Sequence, residues 1–130
     1  MPHKGGEKMI NEVVLVGRLT KDPEVMDTEN GKKRASIILA VPRKFKNVDG
    51  IYETDFIRVI LWNVIAINTK EYCKSGDLLG VKGRIQINSY KDSEDNTHYV
   101  TDIIAEKITF LSSKRNESEE SLEDEGLEES

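Results

Sequence analysis

Four aromatic residues stand among basic side chains: Phe45 between Lys44 and Lys46 with Arg43 close by, Phe56 and Trp62 on either side of Arg58, and Tyr90 directly before Lys91. One kind of chemistry suits this combination. An exposed ring offers a flat surface to an unpaired nucleobase, worth about 1–3 kcal/mol per base with little regard for which base it is. A neighbouring Lys or Arg neutralises phosphate and releases its counterions. Arg18, Lys82 and Arg84 extend the set of basic candidates. Core packing competes for any single ring, since Phe56 and Trp62 could cover a barrel against a helix and Tyr90 could end a hairpin. Phe45 is different, because it falls in a stretch without core periodicity.

Other chemistries lack their residues. There is no Gly-x-x-x-x-Gly-Lys-Ser/Thr loop for nucleotide phosphates and no Gly-x-Gly-x-x-Gly after a strand. No nucleophile elbow or HExxH spacing occurs, so no enzyme, metal site or cofactor is expected. Cys73 is the single cysteine and reads as a small packed residue; His98 reads as an ordinary loop histidine.

The elements that would position the aromatics can be read from turn formers and β-branched runs. Asn11 to Leu19 is a first strand, closed by Pro23. Asn30-Gly31 supplies a turn into a second strand from Lys33 to Val41, and Pro42 opens a basic loop holding Phe45 that turns at Asp49-Gly50. Thr54 to Trp62 is the third strand. Asn63 is expected to cap a helix over Val64 to Lys74, with Gly76 as its left-handed terminator. Asp77 to Ile87 and His98 to Leu111 make strands four and five, joined by a polar loop, with Glu106-Lys107 interrupting the last.

Successive strand residues point to opposite faces, so parity sorts their roles. In the third strand Ile57, Val59 and Leu61 share one face, whereas Phe56, Arg58, Ile60 and Trp62 share the other. In the fourth, Val81, Gly83, Ile85 and Ile87 oppose Lys82, Arg84, Gln86, Asn88 and Tyr90. An aliphatic face belongs to a core. A face that mixes rings with guanidinium and ammonium groups suits a polyanion with exposed bases.

Net charge does not argue against such a partner. The chain of 130 residues carries −5, but residues 1–111 hold 17 basic and 16 acidic side chains, while residues 112–130 hold 2 and 8. The acid is therefore segregated in a Ser/Glu-rich tail with too few apolar groups to offset the entropy of ordering, and disorder is expected there. Residues 1–8 are expected to be a disordered extension, which leaves one domain over residues 9–111. No run of apolar residues has the length of a membrane span, and the lone cysteine fits a reducing compartment, so a cytoplasmic, nucleoid-associated protein is expected.

Several blocks together are diagnostic: Asn11-Glu-Val-Val-Leu-Val-Gly-Arg-Leu-Thr-Lys-Asp-Pro-Glu24, Asn30-Gly31, Ile38-Leu-Ala-Val41, Asp55-Phe-Ile-Arg-Val-Ile-Leu-Trp62, Glu71-Tyr-Cys-Lys-Ser-Gly76 and Val81-Lys-Gly-Arg84. In order and spacing, from about Met9 to Leu111, the chain resembles the bacterial single-stranded DNA-binding protein family. The resemblance implies an all-β fold, the oligonucleotide-binding (OB) five-stranded barrel with one short helix between strands three and four, usually assembled as a homotetramer. It also implies sequence-nonspecific binding and protection of single-stranded DNA in replication, recombination or repair. The family's base-stacking positions fall on Phe45, Phe56, Trp62 and Tyr90. Two departures stand out. Met26-Asp-Thr-Glu29 replaces the aromatic or basic residues many relatives carry before the Asn-Gly turn. The acidic tail reads Asp124-Glu-Gly-Leu-Glu-Glu-Ser130, without the Pro-Phe tip through which the family docks replication and repair enzymes. An accessory copy or one from a mobile element fits both. An RNA-binding barrel and a protein-interaction module with an aromatic interface are the rival readings.

Overall fold

A computed structural model describes residues 8–113. Its strands are β1 (Val13–Leu19), β2 (Val25–Asp27), β3 (Lys33–Lys46), β4 (Tyr52–Trp62), β5 (Leu78–Lys91) and β6 (Thr97–Ser112), with one helix, α1 (Asn63–Tyr72), between β4 and β5. Two long antiparallel hairpins dominate. β3 and β4 pair from Arg34↔Trp62 to Lys46↔Tyr52, and β5 and β6 pair from Leu78↔Ser112 to Lys91↔Thr97. β1 lies antiparallel against β5 from Val13↔Gly83 to Arg18↔Leu78.

Two short seams turn these pieces into a barrel. β4 meets β6 in parallel through Val59↔Ile103 and Ile60↔Ile104, and β1 returns to β3 through Arg18↔Ala40 and Leu19↔Leu39. The five long strands close, as the sequence led us to expect, and β2 adds a short sixth strand on β3. The core inside the barrel is built from Leu19, Ala35, Ile37, Leu39, Val59, Leu61, Leu79 and Val81, with Ala66 and Cys73 brought in by and after the helix. Each buried Val, Leu or Ile contributes about 1.5–3 kcal/mol, which is what fixes the register of these strands.

Two glycines sit where chains pass too closely for a side chain. A Cβ at Gly17 would stand 2.8 Å from the Ala40 carbonyl oxygen at the β1–β3 seam, and one at Gly83 only 2.2 Å from the Ile104 carbonyl oxygen. Gly83 follows a β-bulge: Lys82 pairs with Lys107 but Gly83 with Ala105, so Glu106 has no partner across the ladder. The interruption expected at Glu106-Lys107 is this bulge inside one continuous strand.

Several local expectations are corrected. Asn63 does not cap the helix; Trp62 occupies the cap position in extended conformation without a side-chain hydrogen bond. Asn63 instead takes φ 50°, and its Oδ1 accepts the Lys33 N–H at 3.2 Å, tying the helix start to the start of β3. The helix ends at Tyr72 rather than Lys74, with the Cys73 N–H donating to the Thr69 carbonyl. Gly76 does have positive φ, 95°, but in the turn beyond the helix, where its N–H donates to the Leu19 carbonyl. Phe45 stands on an extended strand rather than in a loop, because β3 continues past Pro42 through an irregularity in its pairing with β4. Tyr90, expected at the start of a polar loop running from Tyr90 to Thr97, likewise belongs to β5. β6 reaches Ser112, one residue beyond the expected end; the remainder of the expected acidic tail, and the expected extension apart from Lys8, lie outside the described residues.

Candidate nucleic-acid interface

Residues paired across strands lie on the same face of a sheet, so the ladders show what the barrel presents outward. Opposite the core, β3 and β4 contribute the rows Arg34–Trp62, Ser36–Ile60, Ile38–Arg58 and Ala40–Phe56. The parallel seam carries the face onto β6 through Ile60–Ile104, and β5 adds Arg84 opposite Ile104, Gln86 opposite Asp102, and Tyr90 opposite His98. Phe56, Arg58, Trp62, Arg84 and Tyr90 therefore share one continuous outer surface. Phe56 is 68% exposed and Tyr90 55%, so neither is a core residue. Trp62 is half-buried. Ile60 and Ile104 are buried on this same face and belong to its floor rather than to the barrel core.

A polar ladder crosses the face. The Arg58 guanidinium donates to Asp102 Oδ1 at 2.9 Å, Asn88 donates to Asp102 Oδ2 at 2.8 Å, Gln86 to Asn88 Oδ1 at 3.0 Å, and Arg84 to Gln86 Oε1 at 2.7 Å. Asp102 is the one buried member. The Arg58 hydrogen bond, outweighing the opposing effect of burial, holds its carboxyl below the usual aspartate range; Asn88, the Arg58 charge and Arg34 act in the same direction. A buried anion without such partners would be costly. Here it fixes Arg58 in one orientation beside Phe56 and links the β3–β4 hairpin to β6.

The other basic candidates are distributed more widely. Arg43 lies at the base of the β3–β4 arm, where Asp55 takes its guanidinium in a fork at 2.9–3.2 Å and Glu53 accepts a further bond at 3.2 Å. That pairing raises the Arg43 pKa and lowers that of Asp55. Further along the arm Phe45 is 82% exposed, Lys44 is exposed beside it, and Lys46 lies over the Tyr52 ring at 5.6 Å from the centroid. Lys91 pairs with Asp95 at 3.7 Å, and Arg84 has Glu106 at 3.8 Å. Exposed pairs of this kind are worth about 0–1 kcal/mol, little enough for a polyanion to displace. Two candidates lie further round the barrel: Lys82 pairs with Glu12 on the β1 side, and Arg18, in the cross-strand row of Phe56 through Ala40, donates to the Gly76 carbonyl at 3.0 Å.

Parity would also have found Arg34, which the sequence reading missed. It faces Trp62 across the ladder, its guanidinium 5.9 Å from the ring centroid, a cation–π distance. His98 is more than an ordinary exposed histidine: near the start of β6, its ring stacks on Tyr90. Cys73 is buried in the core, and burial pushes its thiol pKa up, as befits an inert packed residue. Among the described residues no group of three or more His, Cys, Asp or Glu could hold a metal ion.

Comparison with known proteins gives the same family as the motifs. The model of the single-strand binding protein family matches residues 10–111. The chain is 46% identical over 109 residues to single-stranded DNA-binding protein B of Bacillus subtilis strain 168, covering 84% of this chain and 96% of that protein. It is 48% identical over 108 residues to single-stranded DNA-binding protein 3 of Listeria innocua, covering 83% and 68%. Against single-stranded DNA-binding protein 2 of Staphylococcus aureus strain COL the identity is 45% over 108 residues, covering 83% and 78%.

Proposed function

The chain belongs to the single-strand binding protein family, and from that premise we propose that it binds and protects single-stranded DNA, without regard to sequence, during replication, recombination or repair. The observation that carries the reading is the outer face on which exposed Phe56, half-buried Trp62 and exposed Tyr90 alternate with Arg34, Arg58 and Arg84. Bases stack on the rings; phosphates take the guanidinium groups, with Phe45, Lys44, Lys46, Arg43 and Lys91 extending the path along the two arms. Arg18 and Lys82 serve strands that pass around the barrel. Residues 9–111 form the DNA-binding unit, and the role is one of binding rather than catalysis.

We further assign a homotetramer. β1 pairs with β3 only at its last two residues, so the edge of its earlier half is unpaired, and Val14 and Val16 beside that edge are 71% and 50% exposed. An exposed apolar strand edge is a template for another chain. A cytoplasmic location on the nucleoid goes with the function; among the described residues no helix is long and apolar enough to cross a membrane.

Titration of the single tryptophan, Trp62, with oligo-dT tests the reading. Emission should quench on binding, and affinity should fall steeply as salt rises. Binding that ignores salt would remove the phosphate contacts from the account, and equal affinity for oligo-rU would widen the ligand to RNA.

A further inference from the structure

The tip of the β5–β6 hairpin holds a histidine that the function above does not use. His98 is the cross-strand partner of Tyr90, and their rings stack with centroids 5.1 Å apart and 22° between planes. His98 Nε2 lies 2.7 Å from Asp92 Oδ2. The other oxygen of that carboxylate, Oδ1, accepts the backbone N–H groups of Glu94 and Asn96, each at 2.9 Å. One carboxylate thus organises the turn with one oxygen and sets the imidazole against the tyrosine ring with the other. The His98 bond, first among several, holds Asp92 below the usual carboxylate range. The imidazole is 46% exposed, so the arrangement is not a way of satisfying a core histidine.

We propose that His98 contacts the bound nucleic acid: with Tyr90 it forms a single two-ring platform at the hairpin tip, and its imidazolium form offers a phosphate contact that the neutral ring cannot. The proposal rests on the single-stranded DNA reading. Asp92 contacts His98, and the same turn carries Glu94 and Asp95, with Lys91 on β5 pairing with Asp95. With the imidazole neutral, the turn holds three carboxylates against one ammonium, a poor surround for a phosphate. Protonation removes one unit of that negative excess. A phosphate close by favours the charged imidazolium, so linkage requires affinity to rise as pH falls. For a single strand, log K changes with log salt by about 0.7 per phosphate neutralised, so in roughly 0.1 M salt one added contact is worth about fivefold.

The test compares oligo-dT affinity of the full chain, His98→Phe and His98→Ala at about pH 6 and pH 8 in roughly 0.1 M salt. Phe keeps a ring on Tyr90 without a proton to gain; Ala removes both. At the higher pH the Phe variant should match the wild type and the Ala variant should bind more weakly. At the lower pH the wild type should gain up to about fivefold over the Phe variant. Equal pH responses in wild type and His98→Phe would overturn the phosphate contact, and full affinity of His98→Ala at the higher pH would overturn the platform. A wild-type chain that binds no oligo-dT at either pH sinks this proposal together with the function beneath it, a result distinct from binding that merely ignores pH. Melting temperatures of the exposed-site variants provide the control for folding.

Discussion

Phe56 and Trp62 share a face but differ in depth, and that difference separates what each should do when truncated. Phe56 stands largely free on the surface. Its replacement by Ala should weaken oligo-dT binding by about 1–3 kcal/mol while leaving the melting temperature nearly unchanged. Trp62 is half-buried, lies under Arg34, and occupies the position from which the helix starts. Trp62→Ala should weaken binding by a similar amount and also lower the melting temperature. Titration and thermal unfolding of the same two variants check this, and a Phe56→Ala protein that loses stability but keeps its affinity would make that ring a packing residue. Neither ring's depth was readable from parity, which gives the side of a sheet but not what else covers that side.

At the scale of elements, Gly83 shows how a single position lets a bulge and a barrel coexist. Its Cβ would collide with backbone, the Ile104 carbonyl, rather than with a side chain that could swing away. Gly83→Ala should therefore cost at least about 1–3 kcal/mol, or roughly 4–8 °C in melting temperature per kcal/mol for a domain of this size. An unchanged melting curve would mean that the two strands separate freely there. Alternation of Val, Ile and Leu made the long strands, their order and the helix between them legible in the sequence. It said less where strands outrun the barrel. Ile85 and Ile87 keep the parity of buried Val81, yet they are exposed, because the β5–β6 arm continues past the core that would bury them. Phe45 was legible as a site candidate but not as a strand residue, since Pro42 signals an end and the chain passes it with an irregularity instead. Asn63 has a capping residue's identity, but Lys33 takes its side chain. The resemblance to a known family, not periodicity, supplied the closure of the barrel.

For the whole molecule, charge segregation matters more than the total. Residues 114–130 contain 2 basic and 8 acidic side chains, tethered to a barrel that must attract a polyanion. Truncation after Ser113 should tighten oligo-dT binding at about 0.01 M salt, where electrostatic reach is roughly 30 Å, and the gain should shrink near 0.15 M, where it is about 8 Å. Unchanged affinity at low salt would leave the tail a solubilising appendage. The way the barrel is joined carries a different implication, for the route by which the chain becomes competent. Phe56, Arg58 and Trp62 ride on one hairpin, Tyr90, His98 and Asp102 on the other, and the hairpins touch along a parallel seam only two residue pairs long. Each hairpin closes locally, but the seam joins segments far apart in sequence and so must wait on loop closure. A half-folded chain would own both halves of the surface and still lack the surface, so competence waits on the seam rather than accumulating along the way.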